Sequence, residues 1–313
     1  MAVRRIQNRI AESRFLLPAA AVIATGTYLA AGLIEKQMWI QFAFFALSTW
    51  LFAETNNINA LLRIYSRMVS SSFLMLSCAA SFLFTDLQVG ITQLCIITFY
   101  YTIFKSYMLR DSARILFFAF LAIGIVSTFF VQILFYVPFL WLLTATNLRT
   151  LRVKSFLASF LALITPYWFY GTYLLLQHES DILFSHFSGL IHFQPIQIPP
   201  SLAQHQLITL TFIILLAIIG IVHFLRHSYL DKIRTRMLYE IFITIDILSI
   251  IYILLQPQHY NILLTLIIIN TSPLIAHFIT LTRTRFTNIA FLIILTLTFA
   301  LIAYNLWMPS FNF

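Results

Sequence analysis

The chain has 313 residues, 61% of them hydrophobic and only 9% charged, with a formal net charge of +9 and a mean hydropathy of +0.91. Soluble domains carry about 25% charged residues, so a water-soluble domain is excluded. So is a nucleic-acid partner, because the basic residues fall in short groups between apolar runs.

Period-two alternation is absent, which argues against an outer-membrane barrel. Repeated apolar runs of about 20 residues predict an all-α, polytopic transmembrane helical bundle. In chain order, the basic "MAVRRIQNRIAESRF" leads into "LLPAAAVIATGTYLAAGLI", read as an uncleaved first helix. Spans follow at roughly 16–34, 38–53, 68–84, 88–105, 114–130, 131–145, 155–177, 206–225, 237–255, 261–280 and 287–307.

The run from Arg114 to Thr146 decides the threading. As one helix it would be roughly 48 Å long, against a hydrocarbon core of about 30 Å. Folding it as a short hairpin, with its turn near Gln132 or before Pro138, gives about 11 spans. It also places 18 of the 19 Lys and Arg residues on one side, with only Lys36 on the other. By the positive-inside rule the N-terminus is cytoplasmic and the C-terminal "WMPSFNF" lies outside, with Trp307 at the interface. Residues 1–313 read as a single integral membrane domain, with 178–205 as an external interfacial segment. The expected location is the bacterial inner (cytoplasmic) membrane. Cys78 and Cys95 fall inside apolar spans and read as packing residues.

The ninth span, "YEIFITIDILSIIYILL", carries Asp246 near its centre, where a charge costs about 2.5–3.5 kcal/mol on insertion scales. The tenth, "NILLTLIIINTSPLIAHFIT", is interrupted by Pro273, which removes a backbone hydrogen bond. Counting from the basic end of each helix sets Asp246 level with Asn270 and Ser272, and Glu240 level with His277. These five residues are the candidate intramembrane polar site: either a proton, ion or headgroup site, or a structural clamp between helices. "ITPYWFY" in the seventh span predicts a kink at Thr165-Pro166, followed by Tyr167, Trp168 and Tyr170. Gln93 and Gln132 add amides to the apolar spans.

The external segment holds His178, His186, His192 and His205 beside Glu179 and Asp181, but at no tight zinc-ligand spacing. No metal and no cofactor is therefore assigned. Leu183, Phe184, Phe187, Leu190 and Ile191 share one helical face, predicting a helix on the outer leaflet, with "QPIQIPP" as an extended return. "ETNNIN" at 54–59 reads as a cap for a following helix, with a polar partner as the alternative, and the basic loops as topology and anionic-lipid contacts.

The stretches "WLFAETNNINALL", "ILFFAFLAIGIVSTFFVQILFYVPFLWLLTATNLRTLRVKSFLASFLALITPYW" and "NTSPLIAHFITLTRTRF" resemble an uncharacterised polytopic inner-membrane protein family of the Bacteroidetes. The resemblance implies the membrane architecture and no activity. The central block is also similar to the core of membrane glycosyltransferases that use polyprenyl-phosphate sugars. That likeness implies a polyprenyl-phosphate lipid as a partner. Those enzymes carry a catalytic acid in a long first external loop, which here is only "EKQ", so no catalytic residue is transferred.

Three functions follow as expectations. The first is a non-enzymatic inner-membrane component of envelope, surface-polymer or secretion machinery, working with membrane lipids and within a membrane protein complex. The second is a reduced lipid-linked sugar glycosyltransferase. The third is a proton-coupled small-solute transporter using Asp246.

Overall fold

The computed structural model describes residues 5–191 and 202–307. The "QPIQIPP" return, His192 and the chain beyond Trp307 lie outside the described residues. The described chain is helical, without strands. Its elements are α1 (Ile6–Ala11), α2 (Leu16–Ala30), α3 (Trp39–Asn59), α4 (Met68–Ala79), α5 (Leu87–Ile103), α6 (Ala113–Ser127) and α7 (Val137–Thr146). They continue with α8 (Val153–Leu176), α9 (Ser180–Ser188), α10 (Gln204–His227), α11 (Ile233–Leu255), α12 (Tyr260–Leu281) and α13 (Arg285–Trp307).

Many of these helices are rich in Ile, Val and Thr, which lose side-chain freedom in a helix. In lipid the backbone has no water to bond, so helix is the only open-ended way to satisfy it. Among the described residues, six helices, ending with α13, are long and apolar enough to cross a membrane. That is the architecture of a multi-pass membrane protein.

Packing groups the helices into two compact units, 1–93 with 201–313, and 94–200. In the first unit α12 is the centre: every position of its apolar stretch is buried, against α10, α11 and α4. The α10–α12 crossing is close because Gly220 has no side chain. A Cβ there would stand 2.8 Å from the Leu274 Cβ and 3.0 Å from the Leu274 carbonyl carbon.

α4 is 12 residues long, buried at every position except Met75. At about 1.5 Å per residue it covers roughly 18 Å and stops short of a bilayer's thickness. Its final carbonyls would be stranded in the interior. Asn305 of α13 fills the gap, its Nδ2 donating to the Ala79 carbonyl at 2.6 Å and to Thr209 of α10 at 2.9 Å. The span expected at 68–84 is therefore an α-helix only to Ala79, followed by a 3-10 turn over Ser81–Thr85.

The basic loops of this unit meet at one end. Arg5 bonds the Arg283 carbonyl, and Gln7, fully buried, donates to Thr282 Oγ1 at 2.8 Å. Ser66 donates to the Ala11 carbonyl at 2.5 Å, and Arg234 to Asn59 Oδ1 at 2.8 Å. "ETNNIN" does not cap a following helix. α3 runs on through Asn59, and Ala60 turns left-handed at φ 47°. Asn56 and Asn59 fall on the buried face of α3, so they tie loops instead: Asn56 Nδ2 holds the Ser66 carbonyl at 2.9 Å.

In the second unit the run from 114 to 146 is broken. α6 ends at Ser127, a 3-10 turn covers Val131–Tyr136, and α7 begins with Pro138 in its first turn, where its missing N–H costs nothing. Phe120 and Trp141, at similar distances from the turn, stack at 6.3 Å. The hairpin's two ends rejoin: Met108 N–H bonds the Leu148 carbonyl at 2.9 Å, and Ser112 bonds the Thr150 carbonyl at 3.1 Å. α8 continues as one helix through Pro166, with Gly124 of α6 packed against it. A Cβ on Gly124 of α6 would lie 3.1 Å from both Pro166 Cγ and the Ala162 carbonyl oxygen. Tyr167 turns inward to donate to the Ser127 carbonyl at 2.8 Å, whereas Trp168 is 73% exposed.

α9 stands where the interfacial helix was expected. His186 Nε2 lies 2.9 Å from the Ser127 carbonyl, and Phe187 packs on Tyr167 at 5.0 Å. Part of the expected outer face thus turns onto α8.

Candidate functional site: two polar layers along the central helix

The deeper layer contains Asp246, which is fully buried on α11. Its carboxylate accepts a hydrogen bond from Thr271 Oγ1, at 3.1 Å to Oδ2 and 3.4 Å to Oδ1. The expected neighbours Asn270 and Ser272 sit on either side of Thr271 and are buried too. Their side chains bond their own helix, Asn270 Nδ2 to the Leu266 carbonyl at 2.7 Å and Ser272 Oγ to the Ile268 carbonyl at 2.6 Å. Depth counting found the level, and Thr271, between the two expected residues, is bonded to Asp246; each residue turns a helix by about 100°. The Tyr239 hydroxyl, also buried, donates to the Pro273 carbonyl at 3.3 Å and ties α11 to the broken turn of α12.

The second layer lies at the end where the basic loops meet. His277 is fully buried, and its ring is surrounded by Phe224, Tyr239 and His223 at centroid distances of 5.2–5.3 Å. The acid at this ring is Asp231, from the short connection between α10 and α11: His277 Nε2 is 3.0 Å from Asp231 Oδ2. Glu240, the expected counterpart, is half-buried on α11. Arg63, in the loop after α3, closes the group with its Nε 2.6 Å from Asp231 Oδ1. His277 Nδ1 faces His223 Nδ1 at 3.4 Å, and His223 stacks on His227 at 4.5 Å.

Arg63, Asp231, His277, His223 and His227 therefore form a continuous titratable chain from the surface to the core. Burial works to raise the Asp231 carboxyl, but its interactions with His277, and then with the Arg63 guanidinium, hold it below the usual aspartate value. Asp231 was missed in the sequence because "RHSYLDKIRTR" reads as a topological basic loop. The signal was there: one acid among five basic or imidazole side chains, next to a helix with a buried histidine.

Among the described residues, the first unit has cavities of different character. A small one of about 20 Å³ lies near Tyr28, Gln41, Asp86, Gln93 and Thr265. A second, of about 380 Å³, is lined mostly by apolar residues, chiefly of α2, α4, α12 and α13, with Ser71, Ser72 and Thr298 also in its wall. A third, of about 370 Å³, lies between α2, α3 and α4. Asp246 and Glu35 line none of the three. Among the described residues no three His, Cys, Asp or Glu side chains converge as a metal cage, and Cys78 and Cys95 are free thiols. Thr27 donates to the Cys78 sulfur at 3.1 Å, tying α2 to α4.

No family model, curated protein or solved structure matches the chain.

Proposed function

We propose that the protein is a non-enzymatic integral component of the bacterial inner membrane, serving envelope, surface-polymer or secretion machinery. In this reading it crosses the bilayer about 11 times, with its basic loops and N-terminus in the cytoplasm and its C-terminus outside. The observation that carries it is the closure of the central helix. Asp246 is fully buried and bonded to Thr271, and the neighbouring side chains of Asn270 and Ser272 are buried and hydrogen-bonded as well. Polar groups closed in this way act as clamps between helices and offer a passing solute nothing to bind. The positive-inside rule supports the orientation, with 18 of 19 basic residues on one side of the eleven-span threading.

Purification from native membranes, followed by mass spectrometry of co-purified proteins and lipids, tests the reading. A defined set of envelope proteins or a polyprenyl-phosphate lipid is the expected result. Recovery of the isolated chain from gently solubilised membranes would sink it. Thiol labelling of single cysteines placed at Lys36 and Arg149 tests the orientation, with labelling from opposite sides expected.

A second reading, proton-coupled transport, is favoured by the Arg63–Asp231–His277–His223 chain, which joins the surface to the core of α12. The sugar-transferase reading would require an acid at a membrane-open cavity, and Glu35 lines none of those described.

A further inference from the structure

The cleft between α2, α3 and α4 differs in chemistry from its apolar neighbour. Its walls carry Phe42, Ala46, Trp50 and Ala53 of α3 and Ala21 of α2, but its basic end carries Glu54, Asn57 and Arg67. The apolar stretch of α3 from Phe42 to Ala53 covers about 16 Å at about 1.5 Å per residue. That is close to half of a hydrocarbon core of about 30 Å, the depth of one leaflet. The volume of about 370 Å³ falls within the roughly 300–1,000 Å³ of ligand pockets. Small side chains, Ala21, Ala46 and Ala53, keep it open.

The two charges at its mouth are not spent on each other. Among the described residues the ion pairs are Arg63–Asp231 and His277–Asp231, so Glu54 and Arg67 stand more than 4.0 Å apart. Both are half-buried, and Arg67 Nη2 donates only a long bond, 3.4 Å, to the Tyr65 hydroxyl. A free guanidinium suits a phosphate, and a free carboxylate beside it suits an ammonium. A purely anionic headgroup would be repelled by Glu54.

From this juxtaposition of an apolar slot one leaflet deep with an unpaired Arg67 and Glu54 at its mouth, we propose that the cleft binds a zwitterionic, amine-bearing phospholipid. Its phosphate sits on Arg67, its ammonium on Glu54, and one acyl chain lies between α2 and α3. The neighbouring cleft lacks a charged lining residue and carries no such selectivity.

The test is native mass spectrometry of the full chain with equal amounts of phosphatidylethanolamine and phosphatidylglycerol bearing the same acyl chains. About tenfold more phosphatidylethanolamine adduct is expected, the effect of one charge-assisted contact. Glu54→Gln should abolish the preference while keeping phosphatidylglycerol bound. Arg67→Gln should weaken both lipids together. Ala46→Phe, at an exposed wall position, should lower both without disturbing the core. Equal binding of the two lipids, a preference that survives Glu54→Gln, or binding indifferent to Ala46→Phe overturns the site. The site rests on the reading of the chain as membrane-embedded. Failure of the protein to float with lipid vesicles removes that reading and the site with it. Flotation without headgroup preference removes the site alone.

Discussion

α12 and α8 are both long apolar helices with an internal proline, and they accommodate it in opposite ways. Every position in the apolar stretch of α12 is buried, against 28% in that of α8. Around Pro273 the α12 sequence is polar, "NTSP", and α11 supplies Asp246 and Tyr239 to the same turns. Around Pro166 the α8 sequence is aromatic, and Trp168 and Phe169 are both more than 70% exposed. A buried proline helix must satisfy its polar groups within the protein, so it recruits hydroxyls, an amide and a carboxylate. A peripheral one can bulge toward lipid and needs only a small partner, here Gly124. Both helices run on through a proline that removes one backbone donor; what surrounds it distinguishes a core helix from a peripheral one.

The contrast is broken most directly at the basic end of α12. Asp231→Ala leaves His277 buried without its acid and Arg63 without its counter-charge, an expected loss of about 3–5 kcal/mol. Thermal unfolding in detergent reads it, and a loss under about 1 kcal/mol would show that the layer holds nothing. The same group gives a pH signature. The Asp231 carboxyl titrates below its ordinary 3.8 in the folded protein, so its contribution is complete above that value. It is lost as pH falls through the lowered folded value. The acid limb of the melting-temperature profile should flatten in Asp231→Asn; an unchanged limb would assign acid unfolding to other groups.

A pair of glycine substitutions sharpens the comparison. Gly220→Ala drives a methyl into the Leu274 backbone at the α10–α12 crossing, where neither helix can yield, and should cost about 1–3 kcal/mol. Gly124→Ala meets contacts at 3.1 Å rather than 2.8 Å, against a helix exposed over most of its length, and should cost less, about 1 kcal/mol. Equal losses would mean that α8 is as firmly held as α12.

What could be read from the sequence follows the same divide. The hairpin at 114–146 was legible because helix length and charge placement constrain it independently, and the chain turns where Gln132 and Pro138 suggested. The level of Asp246 was legible because rise per residue is constant. Its partner was not: Asn270, Thr271 and Ser272 are adjacent in sequence, and only packing against α11 selects Thr271. α4 ends early because a single amide from α13, distant in sequence, accepts the burden of its last carbonyl. Asp231 was hidden for a related reason, since its role depends on Arg63 and His277 arriving from other helices.

The smallest expected effect separates the two functional readings. Asp246→Asn keeps an oxygen to accept the Thr271 hydrogen bond, and intramembrane hydrogen bonds average only about 0.6 kcal/mol. A clamp should therefore survive this change with a nearly unaltered melting temperature, and Asp246→Ala should cost only slightly more. Under the clamp reading both variants preserve growth and envelope integrity as long as they accumulate in the membrane. A proton carrier behaves differently, because an amide cannot take up and release a proton in the physiological range. Transport would then fail in Asp246→Asn although the fold is intact. A stable Asp246→Asn protein with lost envelope function would therefore transfer the site from clamp to carrier. Intact function in both variants would remove the carrier reading, since no step through a midplane carboxylate can survive without one.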